Sequence, residues 1–350
     1  MVQDEQLRVS IPIQYTLLVL RVLIGTGNYP KLSESYIEAE IQFLLRKGVA
    51  VAVWSDKVGS PEAPELVDVF RGTVTDAIAK WKPDVFHAHY LTFAGWAFDQ
   101  ARNAGVPCTV RGHSFDQSVD RARQLAQRPE IKRIWLFPHF ARQVSHPKVF
   151  ALPVAYDSTL YKPAEKKIRR WVYRTAAGKP KKGLEDFFVI NSLCADFQFE
   201  LTANNVLGDE AYLPYLEKTA KENGIEFSKN ISREVAVEKM NRAGIYLDTS
   251  DPSGHPFGMP ISIAEALATG CYVLAREAPH LDEYLGNAGA TYRTVSEAQG
   301  LILGTRVWRE EDWKDMRDRA IMQASFFADE AVLPAEIQFW ESLKAGASDG

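Results

Sequence analysis

The segment carrying the most chemistry is Asp251–Ala275, DPSGHPFGMPISIAEALATGCYVLA. A strand-like run ends at Asp248-Thr249-Ser250. A loop with Gly254, Pro256, Gly258 and Pro260 follows, and a helix opens at Ile261 with Glu265 in its first turns. Glycine lets the backbone approach a ligand closely. The free N–H groups of a helix N-terminus, at the positive end of its dipole, make an anion site. A carboxylate one turn further in could accept hydrogen bonds from vicinal hydroxyls such as a ribose diol. The pattern also fits a plain glycine-rich connection whose Glu is favoured by the dipole. His113 directly follows a strand-like run and precedes Asp116, a good N-cap for the next helix. As a neutral imidazole it could hydrogen-bond a hydroxyl group. His87 and His89 alternate along Asp84–His89 and so share one face. They read as buried, hydrogen-bonded histidines ahead of a metal pair.

These residues need a scaffold, and apolar strand-like runs alternate with helix-period segments for most of the chain. Arg21–Gly25, Val49–Trp54, Asp84–His89 and Pro107–Gly112 read as strands, with helices over Ser33–Lys47 and Leu91–Ala104. Such alternation implies βαβ units and a parallel sheet. The pattern breaks over Pro147–Pro163, which has three prolines and no helical period, and reads as a strand followed by a linker. A second series then starts, with strands Trp171–Ala177, Phe197–Ala203, Ile225–Phe227, Ile245–Thr249 and Tyr272–Ala275. Its helices cover Gly183–Leu193, Asp209–Asn223, Arg233–Ala243 and Ile261–Thr269. From Glu310 onward the chain is helical, with a break at Leu333-Pro334. The predicted architecture is α/β: two doubly wound halves plus a helical tail. Ligands of open parallel sheets bind outside the carboxyl ends of the strands, so two such halves facing each other would place a site between them.

Composition narrows the function classes. A chain of 350 residues, at about 150 per domain, predicts two domains. Hydrophobic residues at 46% and charged residues at 25% exclude a disordered or fibrous chain. The net charge of −4 gives no basic field for nucleic acid. Cys108, Cys194 and Cys271 show no metal-type spacing and read as buried, inert thiols in a reducing cytosol. The apolar run Ile11–Ile24 is interrupted by Gln14 and Arg21, falls short of a spanning helix and lacks a cleavage site. Membrane contact is therefore expected to be peripheral at most.

FGMPISIAEALATGCYVLA resembles the nucleotide-sugar motif of retaining GT-B glycosyltransferases of the family 4 group, E-x7-E within E-G-x-P-x-x-x-x-E-A-x-A-x-G-x-P-V. Glu265 takes the second glutamate, Ala266 and Ala268 the alanines and Gly270 the glycine, while Phe257 stands where the first glutamate belongs. Other segments are similar to the same family in the expected order. They are Pro30–Glu40 (P-x-L-S-E-T-F), Asp84–His89 (D-x-x-H-x-H), Arg111–Asp116 (H-G-x-D), Val154–Pro163 (G-V-D-x-x-x-F-x-P), Gly178–Gly183 (G-R-x-x-x-x-K-G) and Pro279–Tyr284 (G-G-x-x-E). The resemblance covers residues 20–345.

The resemblance implies two Rossmann-like domains facing a central cleft: residues 1–160 on the acceptor side, 161–328 binding the nucleotide sugar, and 329–350 a helix returning to the first domain. It implies sugar transfer from a UDP- or GDP-sugar to a carbohydrate or lipid-linked acceptor, with retention and without cofactor or metal. No D-x-D occurs in the sequence. Lys182 and Arg174 would stabilise the leaving diphosphate, Arg174 standing in for the arginine expected at Ala177. His113 would face sugar or acceptor. Donor contacts would come from Glu265, Gly258, Met259, Pro260, Ile261 and Lys179, with His255 beside Phe257 replacing the lost glutamate and Glu283 nearby. A module that binds without turnover, and a sugar-nucleotide epimerase on the same fold, are the competing readings.

Overall fold

The computed structural model describes residues 19–31, 34–60, 63, 65–113, 116–205, 209, 211–253, 258 and 260–348. Among these residues, thirteen strands fall into two parallel sheets. The first contains β1 (Arg21–Tyr29), β2 (Ala50–Val58), β3 (Val69–Phe70), β4 (Val85–His89), β5 (Cys108–Arg111), β6 (Ile131–Leu136) and β7 (Val149–Ala151), in the order β3-β2-β1-β4-β5-β6-β7. The second contains β8 (Ile168–Ala177), β9 (Gln198–Asn204), β10 (Glu226–Lys229), β11 (Ala243–Asp248), β12 (Tyr272–Arg276) and β13 (Gly289–Tyr292), in the order β10-β9-β8-β11-β12-β13. The strand order reverses between β1 and β4 and again between β8 and β11. These are the switch points at which doubly wound sheets bind ligands.

Strand alternation assigns each face of the first sheet its own core. Leu23, Ala52, Trp54, Phe86 and Ala88 pack under helices Val74–Trp81, Leu91–Asn103 and Val119–Ala126. Val22, Ile24, Val51, Val53 and Val85 pack on the opposite face with Ile37, Ile41 and Leu44 of helix Ser35–Arg46 and with Trp340 of helix Pro334–Ser348. The last helix thus returns across the molecule to the first sheet, where Trp340 Nε1 donates to Thr109 Oγ1 at 3.1 Å.

Several boundaries differ from the sequence reading. Parallel pairing of Asn28 with Lys57 and Tyr29 with Val58 carries β1 on to Tyr29 and β2 on to Val58. The strands Ile131–Leu136 and Gly289–Tyr292 are additional. The first helix starts at Ser35 after Glu34, without a side-chain cap, and Ser33 lies outside the described residues. Asp116 does not cap the helix after His113. Ser118 does, because Asp116 is turned inward and accepts from the His113 and Thr92 backbone N–H groups at 2.8 and 3.1 Å. All three cysteines are buried and unpaired with one another.

Candidate active site

At the second switch point the turn after β8 is pressed onto the end of β11. Pro180–Lys182 form one 3₁₀ turn closed by Gly183, whose φ is +57°. A Cβ at Gly183 would stand 2.2 Å from the Thr249 carbonyl oxygen, so only glycine permits this approach. Thr249 Oγ1 donates to the Lys182 carbonyl at 2.9 Å, and the Asp251 N–H to that of Lys181 at 3.0 Å. Lys182 is thereby fixed beside the strand ends. Burial pushes its ammonium down to about 8, against the pull of Asp248 and helped by Arg174, Lys181 and Lys179. Lys181 is likewise lowered, by burial first and then by Lys179, with Lys31 of the first domain contributing. Lys179 lies 3.8 Å from Asp209. Four ammonium groups from both halves therefore share one region, as an anion-binding field requires.

Arg174 lies behind this turn, buried in the sheet. Its Nη1 donates to Asp248 Oδ2 and, at 3.1 Å, to the Tyr246 hydroxyl; Nη2 donates to Ser250 Oγ at 2.9 Å. Burial would raise the Asp248 carboxyl, yet Arg174 and Lys182 hold it below the ordinary carboxylate range. The sequence gives no sign of Asp248 as a partner; that pairing depends on the register of β8 against β11.

Glu265 is buried on helix Ile261–Ala268, which begins behind Pro260. Burial lifts its carboxyl to about 7, although Arg233 and the Tyr161 hydroxyl pull the other way. One carboxylate oxygen, Oε1, has no hydrogen-bond partner. Arg233 stands across the domain boundary, with Nη1 3.3 Å from Glu38 Oε1 of helix Ser35–Arg46 and its Nε and Nη2 unpartnered. Glu38, Arg233, Tyr161 and Glu265 thus make one polar cluster between the halves, buried at Tyr161 and Glu265 and partly exposed at Arg233 and Glu38. Arg233 and Glu38 were missed by sequence reasoning, because a helix-start arginine and a mid-helix glutamate read as solvated charges. Gly258, Pro260 and Ile261 are placed at the start of the same helix. His255, Phe257 and Met259 lie outside the described residues.

Glu283 is exposed on the short helix Leu281–Leu285, where Arg142 donates to both its carboxylate oxygens at 2.8 and 2.7 Å and His280 stands 3.2 Å away. These partners hold its carboxyl below the ordinary range.

On the first-domain side His113 is nearly closed off. Its Nε2 is 2.9 Å from His89 Nδ1, and its ring stacks on Tyr36 with centroids 4.4 Å apart. Burial, then the neighbouring His89, Arg111 and His87, keep the imidazole well below its usual pKa and therefore neutral. His89 and His87 face Glu40, which Arg111 Nη1 contacts at 3.0 Å. Burial alone would raise the Glu40 carboxyl, but His89, His87 and Arg111 bring it down to about 2.

Two doubly wound parallel sheets, of seven and six strands among the described residues, define the fold class. The same architecture recurs in solved structures. Sucrose-phosphate synthase from Thermosynechococcus elongatus superimposes with a TM-score of 0.72 at 16% identity, over 93% of this chain and 100% of that one. Anabaena HepE in complex with UDP gives 0.71 at 17% identity, again over 93% and 100%. A glycosyltransferase from Rickettsia africae gives 0.70 at 11% identity, over 93% and 99%. The chain has the GT-B fold. No protein-family model and no curated protein matches the sequence. No helix among the described residues is long and apolar enough to cross a membrane.

Proposed function

We propose that this protein is a glycosyltransferase that moves a sugar from a nucleoside diphosphate donor to a carbohydrate or lipid-linked acceptor, with retention at the anomeric carbon. The observation that carries the reading is that Lys182, whose carbonyl is held by Thr249 just past the end of β11, and Glu265, on the helix that opens after the same strand, both follow the strands of the second switch point. HepE has also been solved with UDP-glucose, which supports a UDP-sugar ahead of a GDP-sugar. Residues 1–160 form the acceptor half, 161–328 the donor half, and 329–350 the returning helix. Lys182, with Lys179 and the helix N-terminus at Gly258–Ile261, where Pro260 has no N–H to donate, offsets charge on the leaving diphosphate as the glycosidic bond breaks, in place of a metal. Arg174 acts through Asp248 and Ser250, holding the floor of that pocket. Glu265 accepts from the ribose diol. His113, neutral, orients a hydroxyl of sugar or acceptor. The leaving phosphate itself takes the acceptor proton in a front-face displacement. Surface polysaccharide or glycoconjugate synthesis at the cytoplasmic membrane face fits such an acceptor.

Phe257 and Ala177, at positions where the family carries glutamate and arginine, favour a second reading: a module that binds the nucleotide sugar without turnover. Calorimetry against UDP, GDP, ADP and their sugar conjugates tests both. The expected result is micromolar binding of one nucleotide, lost in Glu265→Ala. Free nucleoside diphosphate plus glycoside then marks transfer, binding without product marks the module, and an altered sugar nucleotide marks an epimerase. A folded protein that binds none of these nucleotides would overturn the proposal.

A further inference from the structure

The face of the first sheet that carries Trp340 also carries a cluster of polar atoms with no hydrogen-bond partners. Glu40 Oε1, His87 Nε2 and His89 Nε2 are each fully buried and unpartnered. Both imidazole nitrogens stand 3.5 Å from that one carboxylate oxygen. One donor atom from each of the three side chains lies within 4.8 Å of the others. A separation of 3.5 Å exceeds an N–H···O bond, which runs from about 2.7 to 3.2 Å. It matches the roughly 3.3–3.4 Å between ligands of a tetrahedral ion bonded at about 2.0–2.1 Å. Leaving three such groups unsatisfied in a dry interior is costly, most of all for the charged one.

The surroundings are those of supported ligands. The outer nitrogen of each ring is already engaged: His87 Nδ1 with Thr109 Oγ1 at 2.9 Å, and His89 Nδ1 with His113 Nε2 at 2.9 Å. Such bonds fix the ring orientation, and with the proton on Nδ1 each ring turns the lone pair of Nε2 toward Glu40, as metal-bound histidines do toward their ion. The second carboxylate oxygen of Glu40 accepts from Arg111 Nη1 at 3.0 Å. Glu336 of the last helix lies 3.7 Å from the same Nη1, with both its oxygens unpartnered. Burial and the neighbouring Glu40 raise the Glu336 carboxyl well above its ordinary range, so Glu40 carries the negative charge of the cluster. Trp135 and Trp340 border the His87 ring and keep the region dry.

We propose that Glu40, His87 and His89 bind one structural zinc ion, loaded as the chain folds. Two imidazoles and a carboxylate, with one trapped water as the fourth ligand, suit zinc, whereas magnesium prefers oxygen ligands and retains several waters. The ion ties helix Ser35–Arg46 to β4. It also fixes the His89 proton on Nδ1, so that His89 donates to His113. The site is closed to solvent, so loading belongs to folding and chelation of the native protein is slow.

The test uses full-length protein refolded from denaturant with zinc, with magnesium or with chelator, and needs no assay of activity. The expected result is about one zinc per chain by elemental analysis, with a thermal midpoint roughly 5–10 °C above the chelator-refolded sample and no gain from magnesium. Cobalt refolding should yield a tetrahedral visible spectrum in the wild-type chain. Glu40→Gln and His87→Gln should each lower retained zinc at least tenfold. Wild-type protein that refolds equally well with chelator, retains less than about a tenth of an equivalent of zinc and gives no cobalt spectrum would overturn the site. So would zinc retained undiminished in both variants, which would place the metal elsewhere.

Discussion

Arg174 and Asp248 pair inside the second sheet, on adjacent strands, with the guanidinium also committed to Tyr246 and Ser250. Neither charge is available to solvent. Removing one member leaves the other buried and uncompensated, a loss of about 3–5 kcal/mol for broken buried pairs. Arg174→Met is therefore expected to be strongly destabilised in urea unfolding, and Arg174→Met with Asp248→Leu to recover most of that loss. A single variant as stable as wild type would show that the pair is not structural.

Lys182 should make turnover depend on pH. Its ammonium is pushed from 10.5 to about 8, so its charge is lost as pH rises through about 8. Activity is expected to fall through that window, and Lys182→Ala to lose about ten- to a thousandfold at pH 7. Lys182→Arg, always charged, should remove the fall. The linkage to stability runs the other way. Between about 8 and 10.5 the unfolded chain holds a proton that the folded chain does not, so this group makes stability rise with pH there.

Glu265 predicts the opposite slope at lower pH. With its carboxyl raised from 4.5 to about 7, the folded chain binds the extra proton between those values, and this group's contribution makes stability fall as pH rises across them. Glu265→Gln should be more stable than wild type by about 1–3 kcal/mol at pH 8 and nearly equal to it near pH 4.5, by chemical denaturation. If a diol docks on the ionised carboxylate, binding releases that proton, and nucleotide affinity should rise with pH up to about 7. An affinity flat across this range would argue against the ribose role.

The elements around Glu265 and Lys182 are legible in sequence because glycines and prolines punctuate them; the alternation of apolar runs gives the two parallel sheets. What stays hidden is pairing at a distance. Asp248 ends an ordinary strand, and only register brings it to Arg174. Glu40 occupies a core position among Ile37, Ile41 and Leu44, an anomaly in the helical pattern. Its histidine neighbours, however, are about fifty residues away in the chain, on β4. β6 escapes because charged Lys132 and Arg133 interrupt its apolar run, although Arg133 is itself held between Phe150 and Phe339.

Gly183 gives a cheap test of the turn. Gly183→Ala places a Cβ on the Thr249 carbonyl at a left-handed φ of +57°, and the turn must separate from the strand end. A destabilisation of about 2–4 kcal/mol is expected, together with weaker nucleotide binding by calorimetry. Gly224, also at positive φ but with nothing near its Cβ position, is the control, where the same change should cost about 1 kcal/mol.

The chain passes between the halves twice, and both passages lie together. Tyr156 bridges to Ala328 in parallel, its N–H donating to the Phe327 carbonyl at 2.9 Å and its carbonyl accepting from Asp329 at 3.0 Å. The two crossings side by side form a single rivet of backbone hydrogen bonds, as at the pivot of a pair of shears. Any opening of the gap must pull apart the pairs that span it elsewhere, Glu38 with Arg233 and Arg142 with Glu283.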